Sequence, residues 1–378
     1  IIRIAFTGGG SGGHVYPLIA VAEALREEAK KVPGVVIDLH YFGPLDDYAR
    51  TIAEQNISIH PILSSKYRRY FSIENVFDVP KFFIGIFQSF FKLYGLMPDV
   101  IFSKGGPGAL PVVIVGWFYR IPIIIHESDA IPGLTNSLSA RFARRIAVSF
   151  PNTLEYFHPS RVVLTGNPIR SVFTHGAPEQ GAAKNILGFD STKPLLLVLG
   201  GSQGSAHINE FIVLNVINLI AFTQVLHQTG PTNFLETKKL ADASLLDLTV
   251  KEELKSRYEA VGFLDAEKLR TALSASDVVV ARAGSGALAE IAAAGKPSVL
   301  IPLEGAANDH QKVNAYEFAK TGAAVVIEEE NLATYIFTTT LKSILDNPEV
   351  KKKMHLASAV FGNPDAAILV ANEILELA

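Results

Sequence analysis

Ile4-Ala5-Phe6-Thr7-Gly8-Gly9-Gly10-Ser11-Gly12-Gly13-His14 is the stretch that decides the fold. A short apolar run ends in a turn holding five glycines between positions 8 and 14, and a helical stretch through Val21-Ala22-Glu23-Ala24-Leu25 follows. Strand, glycine turn and helix in that order open a Rossmann-like unit. The glycines let the backbone approach a bulky ligand and aim amide N–H groups at it, ahead of a helix N-terminus.

Outward from this turn, β-branched runs alternate with helical stretches. Val35–Phe42, Asp99–Phe102, Ile121–Ile125, Ile146–Phe150 and Val162–Leu164 read as strands, and Asp46–Gln55 as a helix. The pattern restarts at Pro194–Gly201 and continues with strands at Thr223–His227, Asp277–Ala281, Ser298–Ile301 and Ala323–Ile327. Such alternation predicts βαβ units on parallel sheets. The expected fold is therefore α/β, with two Rossmann-like domains whose sheets face a central cleft. Residues 171–193, which lack periodicity, read as the joint. The expected division is 1–168, joined by a C-terminal helix at 363–378, against 169–362.

The totals agree with this plan. A chain of 378 residues suits two domains of roughly 150–200 residues. Hydrophobic residues at 48% and charged residues at 19% make it globular. A mean hydropathy of +0.26 fits long buried parallel strands or an exposed apolar surface. With no cysteine, disulfides, thiolate nucleophiles and sulfur-bound zinc are excluded. A net charge of −3 argues against nucleic acid as a partner.

Four further motifs sit where ligands of such sheets bind, beyond the carboxyl ends of strands. His14 follows two glycines at a strand-to-helix turn; a general base and a buried structural histidine are the competing readings. Gly200-Gly201-Ser202-Gln203-Gly204 is a second glycine turn, a phosphate cradle or a plain tight βα turn. Arg282-Ala283-Gly284-Ser285-Gly286-Ala287-Leu288-Ala289-Glu290 leads from strand to helix, and Glu290 either serves the helix dipole or accepts two ribose hydroxyls. Asn308-Asp309-His310-Gln311 follows the next strand, with Gln311 suited to sugar hydroxyls. His126-Glu127-Ser128-Asp129, followed by Gly133-Leu134-Thr135-Asn136, comes after the Ile121–Ile125 strand of the first half. No Asp-x-Asp pair occurs, so a sugar-nucleotide enzyme of this sequence would lean on amides and helix ends, with no cofactor and no bound metal.

Residues 66–94 hold ten aromatics, from Tyr67 to Tyr94, among Lys66, Arg68, Arg69, Lys81 and Lys92. The run from Phe82 to Met97 is too short and too interrupted to span a bilayer. Part of it must pack on the sheet. Aromatics mixed with cations also suit an interfacial helix on an anionic membrane surface, with Trp117, Arg141, Arg144 and Arg145 extending the face.

Taken together and in order, these motifs resemble the MurG family, family 28 glycosyltransferases of GT-B fold. The resemblance runs over nearly the whole chain and includes Val15-Tyr16-Pro17, Gly105-Gly106-Pro107, Gly166-Asn167-Pro168-Ile169-Arg170 and Glu290–Gly295. It implies transfer of N-acetylglucosamine from UDP-N-acetylglucosamine to a lipid-linked muramyl-peptide acceptor, at the cytoplasmic face of the membrane. It also implies roles: His14 as base, and Ser11, Gly12 and Gly13 at the acceptor diphosphate. Asp129 and Asn136 would bind substrate, and Arg170 and Leu264 the uracil. Ser202 would meet the UDP phosphates, the run Ser285, Gly286, Ala287, Leu288, Ala289 and Glu290 the phosphates and ribose, and Gln311 the sugar. One departure is Ser128-Asp129 where the family carries Gln-Asn; an ionised Asp accepts hydrogen bonds and donates none. Two other readings share the motifs: another GT-B UDP-sugar enzyme, such as a lipid glycosyltransferase or a UDP-sugar 2-epimerase, and a non-catalytic nucleotide-binding scaffold of wall synthesis.

Overall fold

The computed structural model describes residues 1–45, 48–64, 73–106, 108–201, 204–246, 251–306 and 309–378, with 73–77 described by backbone alone. They gather into two compact units, Ile1–Ser171 with Pro364–Ala378, and Val172–Asn363.

The first unit carries seven strands: β1 (Ile2–Thr7), β2 (Ile37–Gly43), β3 (Ser58–Pro61), β4 (Val100–Ser103), β5 (Ile123–Glu127), β6 (Arg145–Val148) and β7 (Val162–Leu164). They pair in the order β3-β2-β1-β4-β5-β6-β7, all parallel. Ile4, Ala5 and Phe6 are fully buried because helices cover both faces of the sheet. One cover comes from the chain's end. The helix Ala366–Leu377 lies against the helix Gly12–Lys30 and places Val370, Ala371 and Ile374 in a core with Phe6, Leu18 and Leu25. An ion pair from Arg145 Nε to Glu373 Oε2 (3.1 Å) fixes its outer side.

The second unit carries β8 (Leu195–Leu199), β9 (Gln224–Gln228), β10 (Tyr258–Val261), β11 (Val278–Ala281), β12 (Ser298–Leu300) and β13 (Ala324–Val326). Their order is β10-β9-β8-β11-β12-β13, again all parallel. Each sheet reverses its strand order at its first strand, between β1 and β4 and between β8 and β11. A sheet of this kind opens a crevice at that point. Gly8–Ser11 and Lys104–Gly106 lie at the first switch point, and Gly200, Gly201 and Arg282–Gly284 at the second.

The sequence reading needs two corrections here. Residues 171–193 are not an unpatterned joint: Glu179 accepts hydrogen bonds from Gly181 N (2.9 Å) and Ala182 N (3.2 Å) and caps a helix, Gln180–Ile186, packed on the helix Ala266–Ala275. His126 and Glu127 do not follow β5 but are its last two residues. Among the described residues no helix is long and apolar enough to cross a membrane.

Candidate functional site

In the first unit the two glycine turns close on His14. The helix Gly12–Lys30 starts directly after Ser11, so His14 lies in its first turn with its N–H on Ser11 O (3.1 Å). The side chains of Ser11 and His14 also meet, Oγ to Nδ1 at 2.9 Å. Gly106, at φ +84°, passes beneath the imidazole; a Cβ there would sit 3.2 Å from the ring and 2.8 Å from Gly9 O. Only glycine permits that approach. Ser11 and His14 are half-buried and Gly13 is exposed, while Gly12 is covered by Tyr16 and Tyr48.

Behind this turn lies a buried polar layer at the ends of β4 and β5. Glu127 accepts from Asp129 N (3.0 Å), Gly133 N (2.9 Å) and Asn136 Nδ2 (3.0 Å), and so shapes the turn from 128 to 136. Burial pushes its carboxyl above the ordinary range, as does the carboxylate of Asp129, against the pull of the Lys104 ammonium. Lys104 donates through Nζ to Ser128 Oγ, and burial lowers its own pKa. His126 reaches Gly166 O through Nε2 (3.0 Å); burial and then Lys104 hold it well below the histidine range, so it is a neutral brace. Asn136 is buried, gives Nδ2 to His126 O as well as to Glu127, and packs against Gly105. It supports the turn, whereas Asp129 is half-buried at its lip. Arg170 belongs to this unit, where its guanidinium lies 4.3 Å from the centre of the Tyr16 ring.

In the second unit, β8 runs into Gly200 and Gly201; Ser202 lies outside the described residues, as do Gln203 and Asn308. Gly204, at φ +82°, packs so closely on the residue after β9 that a Cβ would fall 2.0 Å from Thr229 O. Gln228, at the end of β9, bridges two loops: its Nε2 donates to Gly201 O (3.2 Å) and its Oε1 accepts from Leu264 N (3.0 Å). Leu264 is thus fixed through its backbone, with its side chain in the core.

The helix Ser285–Ala293 begins at Gly284 without a side-chain cap, and a Cβ at Gly284 or Gly286 would point into open space. Its first amides, from Ser285, Gly286 and Ala287, therefore have no intrahelical acceptor and suit an anion. Leu288 differs: its N–H bonds Gly284 O (3.0 Å) and its side chain is fully buried. Ala289 and Glu290 are half-buried, Glu290 about one turn further along. Gln311, in the first turn of the helix His310–Lys320, accepts from Leu303 N (3.1 Å) through Oε1, which leaves its amide NH2 to offer to a sugar oxygen. Asn314 ties that helix to Ala283 O (3.2 Å).

The structure thus gathers Ser11, Gly12, Gly13, His14 and Asp129 in one unit with Arg170. It gathers Leu264, Ser285–Glu290 and Gln311 in the other. Gln228 and Asn314 escaped the sequence reading. Gln228 carried a usable signal, an amide at the carboxyl end of a buried strand.

Residues 4–148 match the glycosyltransferase family 28 N-terminal domain and residues 195–370 its C-terminal domain. The chain is similar to UDP-N-acetylglucosamine–N-acetylmuramyl-(pentapeptide) pyrophosphoryl-undecaprenol N-acetylglucosamine transferase of Treponema denticola, at 36% identity over 98% of this chain and 96% of that protein. A relative of the same name from Clostridium tetani is 36% identical over 92% of this chain and 91% of its own length. Among solved structures, Acinetobacter baumannii MurG covers all of both chains at a TM-score of 0.75 and 24% identity. The UDP-GlcNAc 2-epimerase from Neisseria meningitidis, bound to UDP-GlcNAc, has a TM-score of 0.67 at 12% identity over 99% of each chain, and shares the fold alone.

Proposed function

The chain belongs to glycosyltransferase family 28 and, within it, to the MurG family, and from that premise we propose that it catalyses the step from lipid I to lipid II in peptidoglycan synthesis. N-acetylglucosamine passes from UDP-N-acetylglucosamine to the C4 hydroxyl of a lipid-linked N-acetylmuramyl-pentapeptide. The carrying observation is full-length similarity to transferases of that name, together with His14 held between two glycine turns. The test is turnover of labelled UDP-N-acetylglucosamine with the lipid-linked acceptor. Formation of UDP and a disaccharide-bearing lipid is expected. Conversion of the sugar nucleotide with no acceptor present would instead make the chain an epimerase.

The second unit takes the donor. The amides of Ser285, Gly286 and Ala287 and the Gly200–Gly204 turn hold the diphosphate, Glu290 the ribose, Gln311 the sugar, and the Leu264 backbone the uracil. Helix-end amides carry the charge that develops on the leaving UDP, with no bound metal. The first unit takes the acceptor, with Ser11, Gly12, Gly13 and Asp129 about its diphosphate and sugar. His14 removes the proton of the attacking hydroxyl, and direct displacement inverts the anomeric centre from α to β.

The enzyme works as a peripheral protein at the cytoplasmic face of the membrane. Support comes from the helix Ile73–Leu96, where Phe83, Phe87 and Phe91 are 63%, 65% and 56% exposed at four-residue spacing. Trp117 and Phe118, exposed on the adjoining helix Ala109–Phe118, enlarge the patch. An apolar patch of this kind marks an interaction surface, and the acceptor's lipid supplies the partner.

A further inference from the structure

Arg282 and Glu329 tie three loops of the second unit together. Arg282 follows β11, and its Nη1 donates to the carbonyls of Ile301 (3.1 Å) and Pro302 (3.2 Å), where the segment leading to Gln311 begins. Its Nη2 donates to Ser205 Oγ (2.7 Å) and to Glu329 Oε1 (2.5 Å). Ser205 is the N-cap of the helix Ala206–Leu214, accepting from Ile208 N (3.3 Å), and directly follows the second glycine turn. Glu329 stands on the third loop, after β13, and reaches the same segment as Arg282: its Oε2 accepts from Glu304 N (3.3 Å), next to the Leu303 amide that holds Gln311. His207 Nδ1 lies 3.0 Å from Glu329 Oε1.

The side chains of Arg282 and Glu329 are only 9% and 11% exposed. A buried ion pair gains little stability over an apolar pair of the same volume, because desolvation offsets the Coulomb attraction. Its effect is geometric: the planar guanidinium holds four acceptors in fixed directions, as a lysine cannot.

We propose that Arg282 and Glu329 are positioning residues of the donor site that act on different parts of the ligand. Arg282, through Ser205, sets the turn that meets the diphosphate. Glu329, through Glu304 N, sets the segment whose Gln311 meets the N-acetylglucosamine. This rests on the reading that the second unit binds UDP-N-acetylglucosamine with Gln311 on the sugar.

Glu329→Gln separates the two roles. Its carboxamide oxygen still accepts from Arg282, but its NH2 then faces the Glu304 N–H, donor against donor. In the full-length chain, the donor KM should rise about tenfold, the scale of one lost charged hydrogen bond, with the acceptor KM unmoved. Calorimetric affinity for UDP alone should stay within about twofold of the parent on the same scale, which also reports a folded second unit. Glu329→Asp, which keeps the charge on a shorter stem, should lose the sugar-bearing ligand less than Glu329→Gln does. Arg282→Lys should weaken UDP and UDP-N-acetylglucosamine alike. Equal losses for UDP and UDP-N-acetylglucosamine in the Glu329 variants, or no loss for either, would overturn the proposal. A parent chain that fails to bind UDP at all would instead remove the donor-site reading beneath it.

Discussion

His14 can take a proton from a sugar hydroxyl only through a ring nitrogen that carries a lone pair. With Nδ1 2.9 Å from Ser11 Oγ, the productive tautomer has Nδ1–H donating to the serine, so Nε2 is the basic atom. General-base assistance contributes about 10²–10⁴ in rate, so His14→Ala should lose that much turnover while UDP affinity holds. An α-linked product, or near-normal turnover in the variant, would rule the assignment out. On the donor side, Glu290→Ala should weaken UDP binding by about 1.5–3 kcal/mol, the range for a charged hydrogen bond. Unchanged affinity by calorimetry would take Glu290 off the ribose. Both proposals start from a local pattern in the sequence: His14 follows two glycines at a strand-to-helix turn, and Glu290 lies about one helical turn beyond another such turn. Gln228, Arg282 and Glu329 act through partners 19 to 122 positions away, and no local pattern encodes such a bond. Leu288 shows the opposite limit: it lies within the motif, but helix phase turns its side chain into the core.

At the scale of elements, the strands flanking each switch point were legible because both faces are covered and their sequences are continuously apolar. Two of the four outer strands were not. β3 reads Ser-Ile-His-Pro and β10 Tyr-Glu-Ala-Val, each at a sheet edge where half-exposed positions break the apolar run. What joins elements into a unit is also partly polar. His227 on β9 pairs Nδ1 with Tyr258 OH (3.0 Å) on β10 and Nε2 with Asn209 Oδ1 (3.0 Å) on the helix Ala206–Leu214. Both bonds are made by the neutral ring, and burial pushes its pKa down to about 3. The unfolded chain titrates near 6.5, so below that pH the unfolded state binds the proton that the native state refuses. Stability from this group is complete above pH 6.5 and is lost as pH falls toward 3, at about 1.4 kcal/mol per unit. His227→Gln should be less stable than the parent at pH 7, with the gap narrowing as pH falls to 5. Denaturant unfolding at several pH values measures this, and a gap independent of pH would mean the histidine is not the titrating group.

At the scale of the molecule, the proposed reaction brings together a soluble nucleotide sugar and a lipid-borne acceptor, so the proposed docking face should hold the bilayer reversibly. The exposed side chains predict where that affinity comes from. Several cations expected to face lipid are engaged within the protein: Lys81 pairs with Asp78 (3.1 Å), Arg145 with Glu373 (3.1 Å), and Lys92 donates to Pro61 O. Arg141 and Arg144 stay exposed, whereas Lys66, Arg68 and Arg69 lie outside the described residues. Each cation near an anionic surface contributes about 1 kcal/mol, which salt screens. The aromatics of the helix Ile73–Leu96 contribute insertion energy that salt does not screen. Binding to anionic liposomes should therefore weaken, yet persist, at high salt. Phe82 is half-buried against its neighbours, so the informative variant is Phe83→Ser with Phe87→Ser and Phe91→Ser, all on the exposed face. Because those rings are exposed, the triple variant should keep the parent's melting temperature and lose most of its liposome binding. Turnover should fall with acceptor embedded in vesicles and stay near the parent's with acceptor presented in detergent. A folded triple variant that sediments with liposomes like the parent would refute the docking face, and equal binding to neutral and anionic vesicles would refute the electrostatic part.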